Sequence, residues 1–439
     1  MIALPIGSEQ PEPLPASAEG LNIFKRSALC AIVTIVATAS GCGRPMPDDS
    51  ASEAEPTVTV RDSAGIEIVE NHAPQRAPDE FWTIDPEPEI LVTDDSARLD
   101  WTAGLARLED GRVATFSFTN KQLFIFGPSG ELSRTIGRAG QGPGEFGTPD
   151  GMRYLPPDTL VVWERFVEAI HYFDTTGTLL NERSVNYARL MEHGATYEDP
   201  LRLVLPDGSF LIGVKDKPDG AQEQDCSHLS TTISFEGQDP VPVPGEHLVR
   251  IDTDYAAHPF GCFRPGSLLV AGGDPPAVYI SNNRDEVHQR SLDGTLMRII
   301  RRTTEPPPVS DKARDAESEN LEQVLEARSL GRGTGPRGER PRRTTYPAIE
   351  GIIVDTEGHL WTKEWSGSES GIPDQWSVFD PEGVWLGVLP VPPNPQPMDF
   401  FLCTLFDPCW VGKDLVLMIR RDELAVERVE GYRIRRDSR

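Results

Sequence analysis

The sequence predicts an all-β fold assembled from repeated strand–turn–strand units, and three observations carry that expectation. Glycine (39) and proline (40) are too abundant for a mainly helical chain of 439 residues and suit short strands joined by tight turns. From Val58 onward, apolar residues alternate or cluster in short runs broken by turn residues, the pattern of an all-β sandwich, barrel or propeller. One unit also recurs in loose form: a strand, an acidic residue followed by glycine, then an aromatic-rich strand. With 38% hydrophobic and 25% charged residues, the chain is neither collagen-like, nor a coiled coil, nor a multi-span membrane protein. Its 69 acids against 42 Lys and Arg give a formal charge of −27. A field of that sign repels nucleic acid and excludes it as a partner.

The first 57 residues read as an address and a tether. Lys25 and Arg26 precede an apolar run over 28–39, too short to span a bilayer, which takes ~20 residues, but of the length of a signal-peptide core. The run ends in Ala39-Ser40-Gly41-Cys42. Small residues before a cysteine resemble the bacterial lipobox, with Ala39 where leucine is usual, and predict lipidation of Cys42. The expectation is an exported protein, lipid-anchored to the bacterial cell envelope at the outer membrane or facing the periplasm, with Gly43 after the cysteine favouring the outer membrane. Residues 1–41 form the signal region. Within it, residues 1–24 sit oddly ahead of the charged segment, and a start codon assigned too early would account for them. Residues 42–57 are rich in Pro, Asp, Ser, Glu and Ala, cannot bury a core, and read as a flexible tether.

The repeats follow in order. The first has strands at 105–108 and 112–116 around Glu109-Asp110-Gly111, then 123–126, the turn Pro128-Ser129-Gly130, and Leu132. The second runs 152–155, Pro157-Asp158, 160–163, 170–174, Thr176-Gly177 and Leu179-Leu180. A third, poorly marked, has 201–205, Pro206-Asp207-Gly208 and 210–212. The fourth keeps 268–270, 278–280, 287–292, Asp293-Gly294 and Leu296. The fifth is clearest: 351–354, Asp355-Thr356-Glu357-Gly358, 359–361, 376–380, Glu382-Gly383 and 384–387. A partial sixth has 415–419, Arg421-Asp422 and 426–434. Asp-Gly and Glu-Gly supply the positive φ of tight hairpins. No unit hides its apolar faces alone, so units must stack.

Four strands per unit, arranged radially, make a propeller blade. Residues 58–439 therefore read as a six-bladed β-propeller of four-stranded antiparallel blades, with ~60 residues per blade, a little above common propeller repeats. A ring needs its ends joined, and the early strands near Val58 and over 66–69 are the expected closure, completing the last blade beside the strand that ends near Ile434. One stretch, 303–345, departs from the repeats. Pro306-Pro307-Pro308 stops a strand, Ser310 and Asp311 suit a helix start, and Leu321, Val324, Leu325 and Leu330 have helical spacing. A short helix near 310–329 is expected. Arg332, Arg337, Arg340, Arg342 and Arg343 follow and make either a basic spot for a carboxylate, phosphate or lipid headgroup or a solvated loop.

Two stretches carry a family resemblance. Residues 136–146, with Gly137, Gly140, Gly142 and Gly144, resemble the interblade turn of NHL-type repeats. The body resembles the uncharacterised six-bladed propeller lipoproteins of soil and marine bacteria, through 62–71, Tyr346-Pro347, 358–361, 378–387, 421–429 and 432–434. The resemblance covers most of 58–436 and implies the fold, not the chemistry, because NHL-like propellers include lyases, lactonases and plain binding platforms.

Chemistry is sparsely marked. The eight histidines, His72, His171, His193, His228, His247, His258, His288 and His359, form no metal-ligand spacing. There is no nucleophile elbow and no phosphate loop, and the acidic turns match no calcium motif. No catalytic, metal or cofactor-binding residue is assigned and no cofactor is expected. Beyond Cys30 in the signal and Cys42, four cysteines remain: Cys226, Cys262, Cys403 and Cys409. In an oxidising compartment they permit two disulfides, the shortest loops being Cys226–Cys262 and Cys403–Cys409. Trp361, Trp365, Trp376, Trp385 and Trp410 lie late in the chain. Such rings fill cores, and an exposed subset would stack on a sugar or on a partner's apolar side chain. The expected function is a membrane-anchored binding or scaffolding module for a protein or glycan. The alternative, implied by the NHL-like turn, is a metal-dependent hydrolase or lyase of lactonase type, with its site at the propeller axis.

Overall fold

Turn chemistry sets the strand boundaries. In the fifth repeat, Asp355 Oδ1 accepts the N–H groups of Glu357 and His359, both at 2.9 Å, and Gly358 takes the left-handed backbone (φ +87°) that a side chain would strain. Asp380 Oδ1 accepts Val384 N–H at 2.8 Å in the next turn of the same repeat. The computed structural model describes residues 56–92, 99–164, 169–184, 201–216, 227–236, 239–242, 268–281, 285–304, 308, 311, 348–364, 375–390, 409–421 and 426–436.

The described chain begins with a hairpin, β1 (Val58–Ser63) and β2 (Ile66–Asn71), and two short strands, β3 (Thr83–Ile84) and β4 (Ile90–Val92). The first sheet holds β5 (Thr102–Arg107), β6 (Val113–Ser117), β7 (Gln122–Phe126) and β8 (Leu132–Ile136). The second holds β9 (Pro149–Leu155), β10 (Thr159–Glu164), β11 (Ala169–Asp174) and β12 (Leu179–Ser184). The third holds β13 (Leu201–Val204), β14 (Phe210–Asp216), β15 (Ser227–Glu236) and β16 (Asp239–Pro242). The fourth holds β17 (Leu268–Gly272), β18 (Ala277–Ser281), β19 (Glu286–Arg290) and β20 (Leu296–Arg302). The fifth holds β21 (Ile349–Val354), β22 (Leu360–Glu364), β23 (Gln375–Phe379) and β24 (Trp385–Pro390). The sixth holds β25 (Cys409–Val411), β26 (Leu415–Arg421) and β27 (Glu427–Arg435), joined by β3 and β4.

Within each of these repeats the strands pair antiparallel in chain order, the meander of a propeller blade. The protein is an all-β propeller, and its described strands form six sheets. The first strand of each repeat is innermost: β5 packs beside β9, β17 beside β21, and β25 beside β5. The expected helix near 310–329 lies outside the described residues except for Asp311.

The core sits between sheets. Central strands are buried on both faces and so read as unbroken apolar runs rather than alternating ones. On β6 and β7, Ala114, Phe116, Leu123 and Ile125 face the second sheet, where they meet Phe146, Leu160 and Val162. Val113, Phe124 and Phe126 face the sixth, where they meet Leu415, Leu417 and Val429. Further layers join third to fourth sheet through Leu205, Leu211 and Val278, fourth to fifth through Tyr279, Ile300 and Phe379, and fifth to sixth through Trp361, Trp376 and Met418.

The expected closure is corrected by the strand order. β1 and β2 do not complete the last blade. β2 runs parallel to β20, Glu67 opposite Arg298 through Asn71 opposite Arg302, and extends the fourth sheet to six strands. The ring is closed instead by β4, with Val92 opposite Val429 and Ile90 opposite Gly431 on β27, and by β3, with Ile84 opposite Ile434. The physical reason is burial. β1 keeps five of its six residues exposed, whereas β4 sends Ile90 and Val92 into the core between sixth and first sheets and leaves Leu91 outside. A three-residue strand carries almost no periodic signal of its own.

The segment from β2 to β4 runs along the outer edges of three sheets. Asn71 leaves the fourth sheet by donating from Nδ2 to Gly383 O at 3.0 Å and accepting Trp385 N–H at 2.8 Å on Oδ1. The N–H groups of Gln75 and Arg76 donate to Trp385 O and Leu386 O on the fifth sheet. Phe81 and Trp82 then enter the core between fifth and sixth sheets. Phe81 lies against Gly387, where a methyl group would stand 2.4 Å from the ring. Arg435 grips Asp85 at 2.6 and 2.7 Å, and Arg433 holds Glu89 at 2.7 Å.

Candidate binding site

A propeller offers two ends. At the leading end the innermost strands begin and each second strand finishes; at the hairpin end, tight turns join first to second strands. The last residue of the second strand is polar in every sheet: Ser117, Glu164, Asp216, Ser281, Glu364 and Arg421. Ser117, Glu164 and Ser281 are themselves buried, and several of these residues tie neighbouring segments together.

Between fourth and fifth sheets, Arg302 donates from Nε to both oxygens of Asp285 (2.9 and 3.0 Å) and from Nη1 to Glu364 Oε1 (2.5 Å). Ser377 Oγ donates to the same Glu364 oxygen at 2.7 Å. Burial pushes the Asp285 carboxyl up, and the adjacent guanidinium opposes that rise. Between sixth and first sheets, buried Glu427 accepts Thr102 N–H and Oγ1–H (2.8 and 2.6 Å) and two donors of Arg421 (3.1 and 2.8 Å). Both clusters have satisfied, paired charges and act as ties.

The second sheet holds a constellation that the sequence reading missed. Buried His171 on β11 lies between two glutamates. Its Nδ1 is 3.1 Å from Glu182 Oε2 on β12 and its Nε2 is 3.5 Å from Glu164 Oε1 on β10. The N–H groups of Gly144 and Gly147 donate to Glu182 (3.0 Å) and Glu164 (2.5 Å), so the glycine-rich turn folds over the histidine. Phe146 stands edge-on to the imidazole at 5.1 Å between ring centres. Burial raises the Glu164 carboxyl, but His171 and the N–H groups of Gly147 and Thr148 outweigh it and hold the group below its ordinary range. His171 pairs with Glu182 only because a bulge between Tyr172 and Phe173 shifts the register; counting out from the Phe173–Leu179 pair beside the turn would have given Asn181.

The other described histidines are dispersed. His72 pairs with Thr59 and Thr303, His288 with Glu286, and His359 with Asp355. His228 lies on β15, and His193, His247 and His258 lie outside the described residues. Among the described residues no group of three His, Cys, Asp or Glu is placed to hold a metal ion. Cys409 is disulfide-bonded, while Cys42, Cys226, Cys262 and Cys403 lie outside the described residues, as does the arginine-rich stretch over 332–343.

The tryptophans sort sharply. Trp361, Trp376 and Trp385 are buried between sheets, Trp410 is half-buried, and Trp365 is outside the described residues. The exposed one among the described residues is Trp101, 51% accessible at the leading end of β5. Its backbone is left-handed (φ +50°), as is that of Lys121 (φ +53°) in the facing β6–β7 turn. The turn is fixed to it: Phe118 N–H donates to Trp101 O at 2.9 Å, and Ser117 Oγ donates to Asp100 O at 2.7 Å. The Phe118 ring lies 5.4 Å from that of Trp101, tilted by 43°. Lys121 Nζ donates to Gly147 O, anchoring the corner to the second sheet. Asp100 and Thr119 are exposed beside the ring, with Asn120 partly so. Nothing in the spacing of the sequence distinguishes Trp101 from a core tryptophan.

No family model matches the chain, and no curated protein matches it. Among solved structures, it is similar to an exported protein from Bacteroides fragilis (12% identity, 84% of this chain and 98% of that one, TM-score 0.48). It is also similar to a member of the DUF4221 family from Bacteroides vulgatus (10% identity, 82% and 100%, TM-score 0.43). A third is a gluconolactonase from Xanthomonas campestris (14% identity, 82% and 99%, TM-score 0.38).

Proposed function

We propose that this chain is an exported propeller, held at the bacterial cell envelope by a lipid on Cys42, that binds a protein or glycan partner through the leading end of its first sheet. The observation that supports this reading is Trp101. A large indole that is half exposed loses the benefit of burial, and a bulky residue in the left-handed region stores strain of about 1–3 kcal/mol. The surrounding hydrogen bonds hold both features in place. A flat apolar face, backed by Phe118 and rimmed by Asp100, Thr119 and Asn120, suits a sugar ring or an apolar side chain with polar neighbours.

The test is a photo-crosslinking residue at position 119 in the native envelope, run in parallel with Trp101→Ala and with a panel of purified envelope glycans. Trp101→Ala is expected to abolish the crosslink or the glycan signal while leaving the melting temperature unchanged, since the ring is outside the core. A partner captured equally by the Trp101→Ala protein would overturn the assignment. Labelling with a lipid precursor, lost in Cys42→Ala, tests the anchor separately.

A further inference from the structure

At the hairpin end the observations point elsewhere. The innermost strand of each sheet has one edge without a sheet neighbour, leaving backbone groups facing the axis. Arg153, on innermost strand β9, reaches across this region. Its Nη1 donates to Val204 O on β13 at 2.8 Å, and its Nη2 to Ala271 O on β17 at 3.0 Å. One guanidinium thus joins the innermost strands of the second, third and fourth sheets.

What Arg153 lacks, among the described residues, is an ion-pair partner. Arg302, Arg421, Arg435 and Arg436 each hold a carboxylate; among the described residues Arg153 holds only carbonyls. Asp207, the carboxylate whose charge it feels, sits exposed on the β13–β14 turn and is engaged by Ser209 at 2.6 and 2.9 Å. Burial lowers the guanidinium to about 10, with Asp207 only partly opposing. A half-buried guanidinium with no ion pair among the described residues is incompletely compensated, and a chain with 69 acids has many ways to supply a carboxylate. Of its five N–H donors, carbonyls engage two, and the side chain keeps partial exposure.

We propose that Arg153 anchors a site for an oxyanion, the carboxylate of a small organic acid or an inorganic phosphate, at the hairpin end of the propeller axis. The fork of remaining donors matches the planar, paired oxygens of such a group, and the anion supplies charge that Asp207 provides only in part. The site lies at the opposite end from Trp101 and stands or falls independently of it.

The full-length protein is titrated with sodium phosphate and, separately, with sodium succinate, against sodium chloride at matched ionic strength, and melting temperature is followed. The expected result is a saturable rise with one of the two anions that chloride does not reproduce. A response to phosphate alone identifies the inorganic ion; a response to succinate alone identifies a carboxylate. Arg153→Lys, which keeps the charge and loses the fork, is expected to weaken the apparent affinity about tenfold or more, and Arg153→Met to abolish it. If Arg153→Met fails to fold, the wild-type and lysine titrations decide. Absence of any saturable response beyond chloride in the wild type, or an unchanged response in Arg153→Lys, overturns the site and leaves Arg153 as a tie between sheets.

Discussion

The register of β4 predicts that truncations at alternate residues differ severalfold in their cost. Ile90 and Val92 are 4% and 2% exposed in the core between sixth and first sheets, while Leu91 between them is 40% exposed. Ile90→Ala is expected to cost about 2–5 kcal/mol, as buried isoleucine truncations do. Val92→Ala removes two methyl-sized groups at ~0.8 kcal/mol each, or about 1.6 kcal/mol before any cavity penalty. The double variant then loses about 4–7 kcal/mol, a large part of the ~5–15 kcal/mol that holds a typical domain together. Leu91→Ala should stay within about 0.5 kcal/mol, as surface changes do. Urea unfolding followed by tryptophan fluorescence is a suitable assay, because Trp82 and Trp361 are buried at the adjacent interface. Val60→Ala, on exposed β1, is the second control. If Leu91→Ala or Val60→Ala destabilised as much as Ile90→Ala, the ring would not be sealed in the register described.

Three further outcomes are expected. Asn71→Ala leaves Trp385 N–H and Gly383 O without their partner and should cost about 1–3 kcal/mol for each buried group left unpaired, measured by equilibrium unfolding. Gly387→Ala places a methyl group against the Phe81 ring and should destabilise by about 1–3 kcal/mol, with Phe81→Leu in the same chain restoring part of the loss. Glu164 is held below its ordinary carboxylate range, so its contribution is complete above the unfolded value and lost as pH falls through the lowered folded value. Stability measured across that acid range should therefore fall less steeply in Glu164→Gln than in the wild type.

Much of the fold was legible because its repeats are local. An acidic residue and a glycine between two apolar runs specify a hairpin without reference to the rest of the chain, which is why the fifth repeat could be read through both of its turns. The ring closure was not legible for the opposite reason. Residues 58–69 look more like strands than 90–92 do, yet pairing with β27 is decided by which side chains find a core 340 or so positions away, as the Arg433–Glu89 separation of 344 illustrates. The sites divide in the same way. His171 opposite Glu182 is a matter of register within one hairpin, but a bulge beside Tyr172 shifts it away from a plain count. Trp101 acquires its character from exposure and Arg153 from its reach to carbonyls on two other sheets, properties that exist only once the sheets are assembled.

The outer-edge course of residues 58–92 has a consequence for the order of events during synthesis. These strands precede the blades in the chain, but their partners on β20, β24 and β27 are made much later, β27 last of all. Until β20 is made β2 has no edge to join, and until β27 is made β3 and β4 have none, so the apolar side chains of β4 wait through most of translation. Non-local pairing of this kind is slow to form and exposes the chain to wrong associations meanwhile. It also makes sealing a test of completeness: a chain cut short before β27 can build its early hairpins but has nothing to receive Ile90 and Val92. The first and last parts of the chain are thus committed together, in one late step, and a prematurely ended product is left open and recognisable to proteases.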